Sequence, residues 1–140
     1  MLITRATRHD KDDIREFLAA HDRTDAEVDE GTYFIAREGR VTGSVKLVDI
    51  GPQTVVVADM VVSEERRGQG IGSALMAATM SGRGGSLYLC CHDDVIGFYE
   101  RFGFARLPFD SLPAGVQDYH RRAGEYPFDP ADPHYFMKAR

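Results

Sequence analysis

Asp59-Met60-Val61-Val62-Ser63-Glu64-Glu65-Arg66-Arg67-Gly68-Gln69-Gly70-Ile71-Gly72-Ser73-Ala74-Leu75-Met76 is the stretch on which the reading of this chain turns. An apolar strand closes at Val62, a charged turn follows, and a glycine-rich run opens into a helix. Surface helices favour Asp or Glu in their first turn, where unpaired N–H groups and the helix dipole are positive. Here the first turn is Gly70-Ile71-Gly72-Ser73, with Arg66 and Arg67 just before it. Bare N–H groups, no Cβ to block approach and two guanidinium groups describe a seat for phosphate or pyrophosphate. The plainer alternative is a solvated turn whose glycines only help the chain reverse.

Two familiar nucleotide loops are excluded by spacing. No Lys-Ser or Lys-Thr follows the last glycine, as a Walker loop requires. Gly68-Gln69-Gly70-Ile71-Gly72 lacks the G-x-G-x-x-G spacing of a dinucleotide fingerprint, and no clear βαβ unit with an acidic residue follows.

Arg67-x-x-Gly70-x-Gly72 behind an apolar strand resembles the acyl-CoA pyrophosphate loop of the GNAT N-acetyltransferases. Downstream, Phe98-Tyr99-Glu100-Arg101-Phe102-Gly103-Phe104 is similar to that family's F-Y-E-x-x-G-F segment. The resemblance implies an α/β (α+β) fold in a single domain over residues 1–140, with a central mixed, mostly antiparallel sheet flanked by helices. It implies acetyl-CoA as co-substrate. Arg67, Gly68, Gln69, Gly70, Ile71, Gly72 and Ser73 would seat its pyrophosphate. Met60, Val61 and Val62 would offer backbone to the pantetheine arm, and Phe98 would touch the cofactor. Homodimers are common in the family.

Transfer of an acetyl group to an amine also needs proton handling. An alkyl ammonium, with a pKa of about 10, must lose a proton before it attacks. Tyr99 matches the family tyrosine that protonates the departing thiolate, and its plain alternative is an amphipathic core tyrosine. Seven residues earlier, where many relatives carry Asn, stands His92. It is a candidate hydrogen-bonding group or base, or simply a structural residue at a strand end. Relatives often place Glu or His on the central strand, and Thr54 to Ala58 offers neither. Asp59, His92, the acidic loop and ordered water all stay open as the base. Asp59, inside an apolar run, reads first as a structural acceptor, since a lone buried carboxylate is costly.

Around this centre, Leu2 to Ala6 reads as a strand. Asp10 is a plausible N-cap for a helix from Lys11 to about His21, with Ile14, Phe17 and Leu18 as its core stripe. Asp22 to Gly31 is an acidic loop, either a solvated face or a wall that favours a cationic acceptor. Thr32 to Arg37 and Val41 to Ile50 read as strands joined by a hairpin. Thr54 to Val62 is a nearly continuous apolar run that suits a strand covered on both faces. The helix from Gly70 ends at Ser81-Gly82-Arg83-Gly84-Gly85, and Ser86 to Cys91 is a buried strand. Val95 to Phe102 reads as a helix stopped by Gly103, and Phe104 to Leu107 as a strand. Leu107 to Pro133 is long for a connection, a lid or a disordered segment by length, though its aromatics argue against disorder. A helix over Ala114 to Arg122 fits within it, and Tyr135 to Ala139 closes the chain as a strand.

The chain has 140 residues, 43% of them hydrophobic and 28% charged, and a net charge of −5. That balance argues against a nucleic-acid partner, which favours a basic stripe. No apolar run approaches the ~20 residues of a membrane span, and no signal peptide opens the sequence, so a cytoplasmic location without membrane attachment is expected. Cys90 and Cys91 are adjacent and project to opposite faces of a strand, which disfavours a disulfide between them. They read as buried thiols in a reducing compartment, without a nucleophilic role. No Cys–His ligand spacing suggests a metal.

The leading expectation is therefore an acetyl-CoA-dependent N-acetyltransferase acting on a small-molecule amine by direct attack, without an acyl-enzyme. Amino acids, polyamines, drug-like amines and a peptide N-terminus stay open as acceptors. The segment after Gly103 is similar to acetylglutamate-synthase-like members and implies an amino acid, whereas the acidic loop implies a cation. The alternatives are a non-catalytic acyl-CoA-binding regulatory module and a phosphate-binding fold unrelated to CoA.

Overall fold

The structure, a computed structural model, describes residues 2–81 and 84–140. Seven strands form one sheet: β1 (Leu2–Arg5), β2 (Thr32–Glu38), β3 (Arg40–Gly51), β4 (Thr54–Val62), β5 (Ser86–Cys91), β6 (Ala105–Leu107) and β7 (Tyr135–Ala139). Their order is β1-β2-β3-β4-β5-β7-β6. β1/β2, β2/β3, β5/β7 and β6/β7 pair antiparallel, and β4/β5 pairs parallel. Among the described residues four α-helices accompany it: α1 (Lys11–Ala19), α2 (Ile71–Met80), α3 (Ile96–Glu100) and α4 (Ala114–Arg122). The mixed, mostly antiparallel α/β architecture is the expected one. No helix among the described residues is long and apolar enough to cross a membrane.

The chain divides into two compact units, Met1–Val48 with Val57–Arg83, and Asp49–Val56 with Gly84–Arg140. In the first, Ile14, Phe17 and Leu18 of α1 are buried against Tyr33, Ile35, Val41 and Val61. Complete burial of such side chains contributes about 1.5–3 kcal/mol each, which makes this stripe the main reason α1 is a helix here. Asp10 does not cap α1 through its side chain. Its carboxylate reaches back to the Thr7 amide at 2.8 Å, while Thr7 Oγ1 accepts from His9 N, so Thr7 heads the capping box one turn earlier. The Thr7 amide, supported by Arg37, holds the Asp10 carboxyl below the usual carboxylate value.

Continuous burial falls on β3, from Val41 to Val48, rather than on β4. The alternation of Thr42, Ser44 and Lys46 with apolar residues suggests a half-exposed strand, yet all three are buried. Each polar group is matched. Thr42 Oγ1 donates to Ala36 O at 3.3 Å, and Ser44 Oγ to Asp59 O at 2.9 Å. Lys46 Nζ donates to Glu27 O at 3.4 Å and lies 3.5 Å from both Glu30 and Asp59 carboxylates. β4 is buried at Val55–Val57 and at Val61, with Asp59 between them at φ 50. A left-handed residue breaks the strand's regular pleat, and Asp tolerates that region better than most. The kink explains why the apolar run is not covered throughout.

In the second unit, β7 lies between β5 and β6, with Leu87 opposite Ala139 and Ala105 opposite Lys138. The segment after β6 is packed core. Phe109, Leu112, Val116 and Tyr119 are buried, and the Phe109 ring stacks on Tyr126 at 3.6 Å. Apolar burial excludes the disordered reading for Phe109 to His120, whereas no residue of 121–133 is buried. The expected helix over Val95 to Phe102 is shorter, because a tight 3-10 turn at Asp93–Val95 precedes α3 and a turn follows it. Gly103, at φ 89, occupies the left-handed position that ends it. Gly82 and Arg83, in the expected turn after α2, lie outside the described residues.

Candidate active site

The glycine-rich loop and the end of β4 belong to the first unit. α2 starts at Ile71 with Gly70 as its N-cap in the left-handed conformation, φ 81 and ψ 11. No side chain caps it, and its first turn carries no acid. Arg67, Gly68, Gln69 and Gly70 are exposed, and a Cβ at Gly68 or Gly70 would meet nothing within 4 Å. The N–H groups of the first turn therefore carry the positive end of a ten-residue helix that has neither an acid in its first turn nor a side-chain cap. Ile71 is buried, so any contribution it makes to the seat is through its backbone.

What holds this tip close to the sheet is Gly43 of β3. A Cβ there would stand 2.8 Å from Ile71 Cγ2 and 3.1 Å from Leu75 Cδ1. The bare glycine lets the first turns of α2 settle directly onto the strand. Of the two guanidinium groups expected near the tip, only one stays with the loop. Arg67 Nε donates to Val62 O at 3.3 Å, beside the strand end, and its side chain is exposed. Arg66 is instead ion-paired with Glu38, and Glu65 with Arg40, so this turn is stitched to the β2–β3 hairpin.

Asp59 proves to be the hub of a polar cluster in the same unit. Its Oδ2 accepts from Tyr33 Oη at 2.7 Å, and Arg23 Nη1 lies 3.3 Å from Oδ1. Lys46 Nζ completes the set, 5.8 Å from the Tyr33 ring centroid. A carboxylate holding three donors suits the structural role. Two acids of the acidic loop are similarly engaged: Asp29 pairs with Lys11 at 2.6 Å and Arg15 at 3.3 Å, and Glu30 with Lys46. Sequence reasoning passed over Lys46. The signal was available in a lone lysine on one strand and a lone aspartate on the next, both in apolar surroundings.

His92, Phe98 and Tyr99 belong to the second unit. Tyr99 is buried, its ring edge-on to Phe98 at 5.1 Å and to Phe104 at 5.9 Å. Phe98 is half-buried and also contacts the Phe102 ring and the Arg101 guanidinium. His92, exposed at the end of β5, has Nε2 3.2 Å from Asp132 Oδ1. Its ring meets that of His134 edge-on at 4.8 Å. Neither Asp132 nor His134 was a candidate in the sequence, because both lie far along the chain and form no spacing motif with His92.

The cysteines are poor nucleophiles. Cys91 is buried and donates to Met137 Sδ at 3.7 Å, and burial, helped by Asp94, pushes its thiol up to about 11. Cys90 is half-buried rather than buried, and desolvation followed by Glu125 raises its thiol further. Neither is appreciably thiolate near neutral pH.

Comparison with known proteins agrees with this fold. The family model of the acetyltransferase (GNAT) domain matches residues 29–106, more than half of the chain. No curated protein sequence matches it. Among solved structures, a Staphylococcus aureus acetyltransferase of the GNAT family superposes with TM-score 0.71 at 16% identity, covering 99% of this chain and 97% of that one. A Mycobacterium tuberculosis protein in complex with CoA and NLQ gives 0.74 at 17%, covering 99% and 98%. N-acetylglutamate synthase from Neisseria gonorrhoeae, complexed with coenzyme A and N-acetyl-glutamate, gives 0.72 at 16%, covering 100% of this chain and 35% of its own. At such identities the likeness is one of fold.

Proposed function

This chain belongs to the GNAT acetyltransferase family, and from that premise we propose that it transfers the acetyl group of acetyl-CoA to the primary amine of a small molecule. The observation that carries the proposal is the open, acid-free tip of α2 at Gly70. A diphosphate placed there accepts from the first-turn amides and meets the positive end of the helix dipole. Arg67, already beside the loop, supplies the mobile countercharge. Met60 to Val62 offer backbone to the pantetheine arm, and the half-buried Phe98 offers an apolar contact to the cofactor.

In the transfer, the amine nitrogen attacks the thioester carbonyl carbon, the C–S bond breaks, and the sulfur leaves with the electron pair. Tyr99 gives its phenolic proton to that sulfur. The amine's proton goes to His92. Asp132 Oδ1 lies 3.2 Å from His92 Nε2, so a hydrogen carried on Nε2 toward that carboxylate would leave the lone pair on Nδ1 to act as base. Asp59 is left out of proton transfer, since its carboxylate is committed to Tyr33, Arg23 and Lys46.

An amino acid is the acceptor class to test first. Asp29 and Glu30 of the acidic loop are engaged by the protein's own cations, which weakens the case for a polyamine. The N-acetyl-glutamate bound to the Neisseria synthase is an acetylated amino acid on a similar fold. The experiment is a panel of amino acids, polyamines, aminoglycoside-like amines and peptide N-termini with acetyl-CoA, read as released thiol. Turnover on amino acids supports the proposal. Tight CoA binding without turnover on any class would replace it with a non-catalytic acyl-CoA-binding module.

A further inference from the structure

Three side chains of the second unit meet outside any motif. His92 at the end of β5, and Asp132 and His134 just before β7, bring three ligand atoms within 4.8 Å of one another. His92 Nε2 lies 3.2 Å from Asp132 Oδ1, and His134 Nε2 lies 3.9 Å from Asp132 Oδ2.

The tautomer of His134 is fixed by its other nitrogen. Nδ1 is 2.9 Å from the carbonyl oxygen of Glu125. A carbonyl only accepts, so Nδ1 carries the hydrogen and, in the neutral ring, Nε2 presents a lone pair. That nitrogen lies 3.9 Å from a carboxylate oxygen, which is also an acceptor. Two acceptors at this separation leave room for a cation between them.

We propose that this cation is a divalent transition-metal ion, held by His92 Nε2, His134 Nε2 and the Asp132 carboxylate. Imidazole and carboxylate ligands suit zinc and its neighbours, and three protein ligands leave one position for water. In tetrahedral zinc, adjacent ligand atoms are about 3.3 Å apart. The His92–Asp132 gap already has that span, and the others, up to 4.8 Å, would have to shorten by side-chain rotation when the ion binds. His92 and Asp132 are exposed, so an ion reaches the site from solvent. The bond from His134 Nδ1 to Glu125 is the kind of outer support that orients metal-binding imidazoles.

The ion and the proposed base use opposite tautomers of His92. Metal on Nε2 takes that nitrogen's lone pair, so the neutral ring must carry its single N–H hydrogen on Nδ1, which removes the lone pair that accepts the amine's proton. Bound metal would therefore inhibit transfer. This consequence rests on the proposed function, whereas metal binding itself does not.

The test is calorimetric titration of the chelator-treated full chain with zinc sulfate. One ion per chain is expected, with affinity lowered by about tenfold or more in His134→Ala and in the surface variant Asp132→Asn. His9→Gln, remote in sequence and exposed, is expected to bind as the parent does. No zinc uptake would overturn the proposal and leave a proton as the shared cation, and so would equal uptake by parent and both site variants. Absence of transfer by the metal-free chain, with zinc binding intact, would count against the acetyltransferase reading only.

Discussion

Tyr33 donates its phenolic hydrogen to the Asp59 carboxylate at 2.7 Å, and the same carboxylate lies 3.5 Å from the buried ammonium of Lys46. The two contacts differ in what their loss leaves behind. Tyr33→Phe removes one hydrogen bond, at about 1 kcal/mol. Asp59→Ala deprives a buried lysine of one of its two carboxylates, at about 3–5 kcal/mol. Urea unfolding midpoints of the two variants are expected in that order. Equal losses would show that Lys46 does not depend on Asp59.

Gly70→Glu puts bulk and negative charge on the tip of α2, where the structure offers open space. At φ 81 any side chain is strained, so Gly70→Ala serves as the control. Both variants are expected to lose about 1–2 kcal/mol of stability. Only the glutamate should lower CoA affinity about tenfold or more below the alanine variant, by calorimetry. Equal affinities would remove the helix tip from cofactor binding.

Tyr99→Phe keeps the ring that packs against Phe98 and Phe104 and removes only the hydroxyl. The expected result is a fall in kcat of about 10²–10⁴ with CoA affinity unchanged. An unaltered kcat would leave Tyr99 as a core residue.

Direct attack predicts that neither cysteine is needed. With the Cys91 thiol up at about 11, roughly one molecule in 10³–10⁴ is thiolate near neutral pH. The Cys90→Ser and Cys91→Ala variants are expected to retain turnover, and alkylation of the native protein by iodoacetamide to lag well behind that of free cysteine. A rapid, inactivating alkylation would reopen an acyl-cysteine route.

Asp10 gives the chain a pH-dependent term of known sign. Its carboxyl is held below its ordinary 3.8 in the folded chain, chiefly by the Thr7 amide. A lowered folded value means stability that is present above pH 3.8 and lost as pH falls through the folded value. Thermal unfolding should show Asp10→Asn less stable than the parent at pH 6, with the difference shrinking below pH 3.8. A constant difference would assign the effect to geometry rather than charge.

The strands and the three longer helices were legible because their signals are local. Apolar periodicity marked α1, the glycine run marked α2, and Pro113 marked the start of α4. Polar residues engaged at long range were not legible. Lys46 looks like the exposed side of a strand until Asp59 and Glu30 arrive from elsewhere in the chain. Arg66 looks free to meet an anion until Glu38 takes it. His92 acquires Asp132 and His134 only through folding of the segment after β6. The loop could be read as a seat because backbone amides at a helix start need no partner chosen by topology. Its countercharges could not.

The left-handed turn at Asp59 also acts as a phase setter. Side chains along a strand alternate in direction, so a single added or missing residue there would exchange the headings of Val61 and Val62. Val61 would leave the core and Val62 would enter it, with Arg67 and the glycine loop carried round behind them. Length is therefore counted from this one aspartate, and insertions on either side of it are not equivalent.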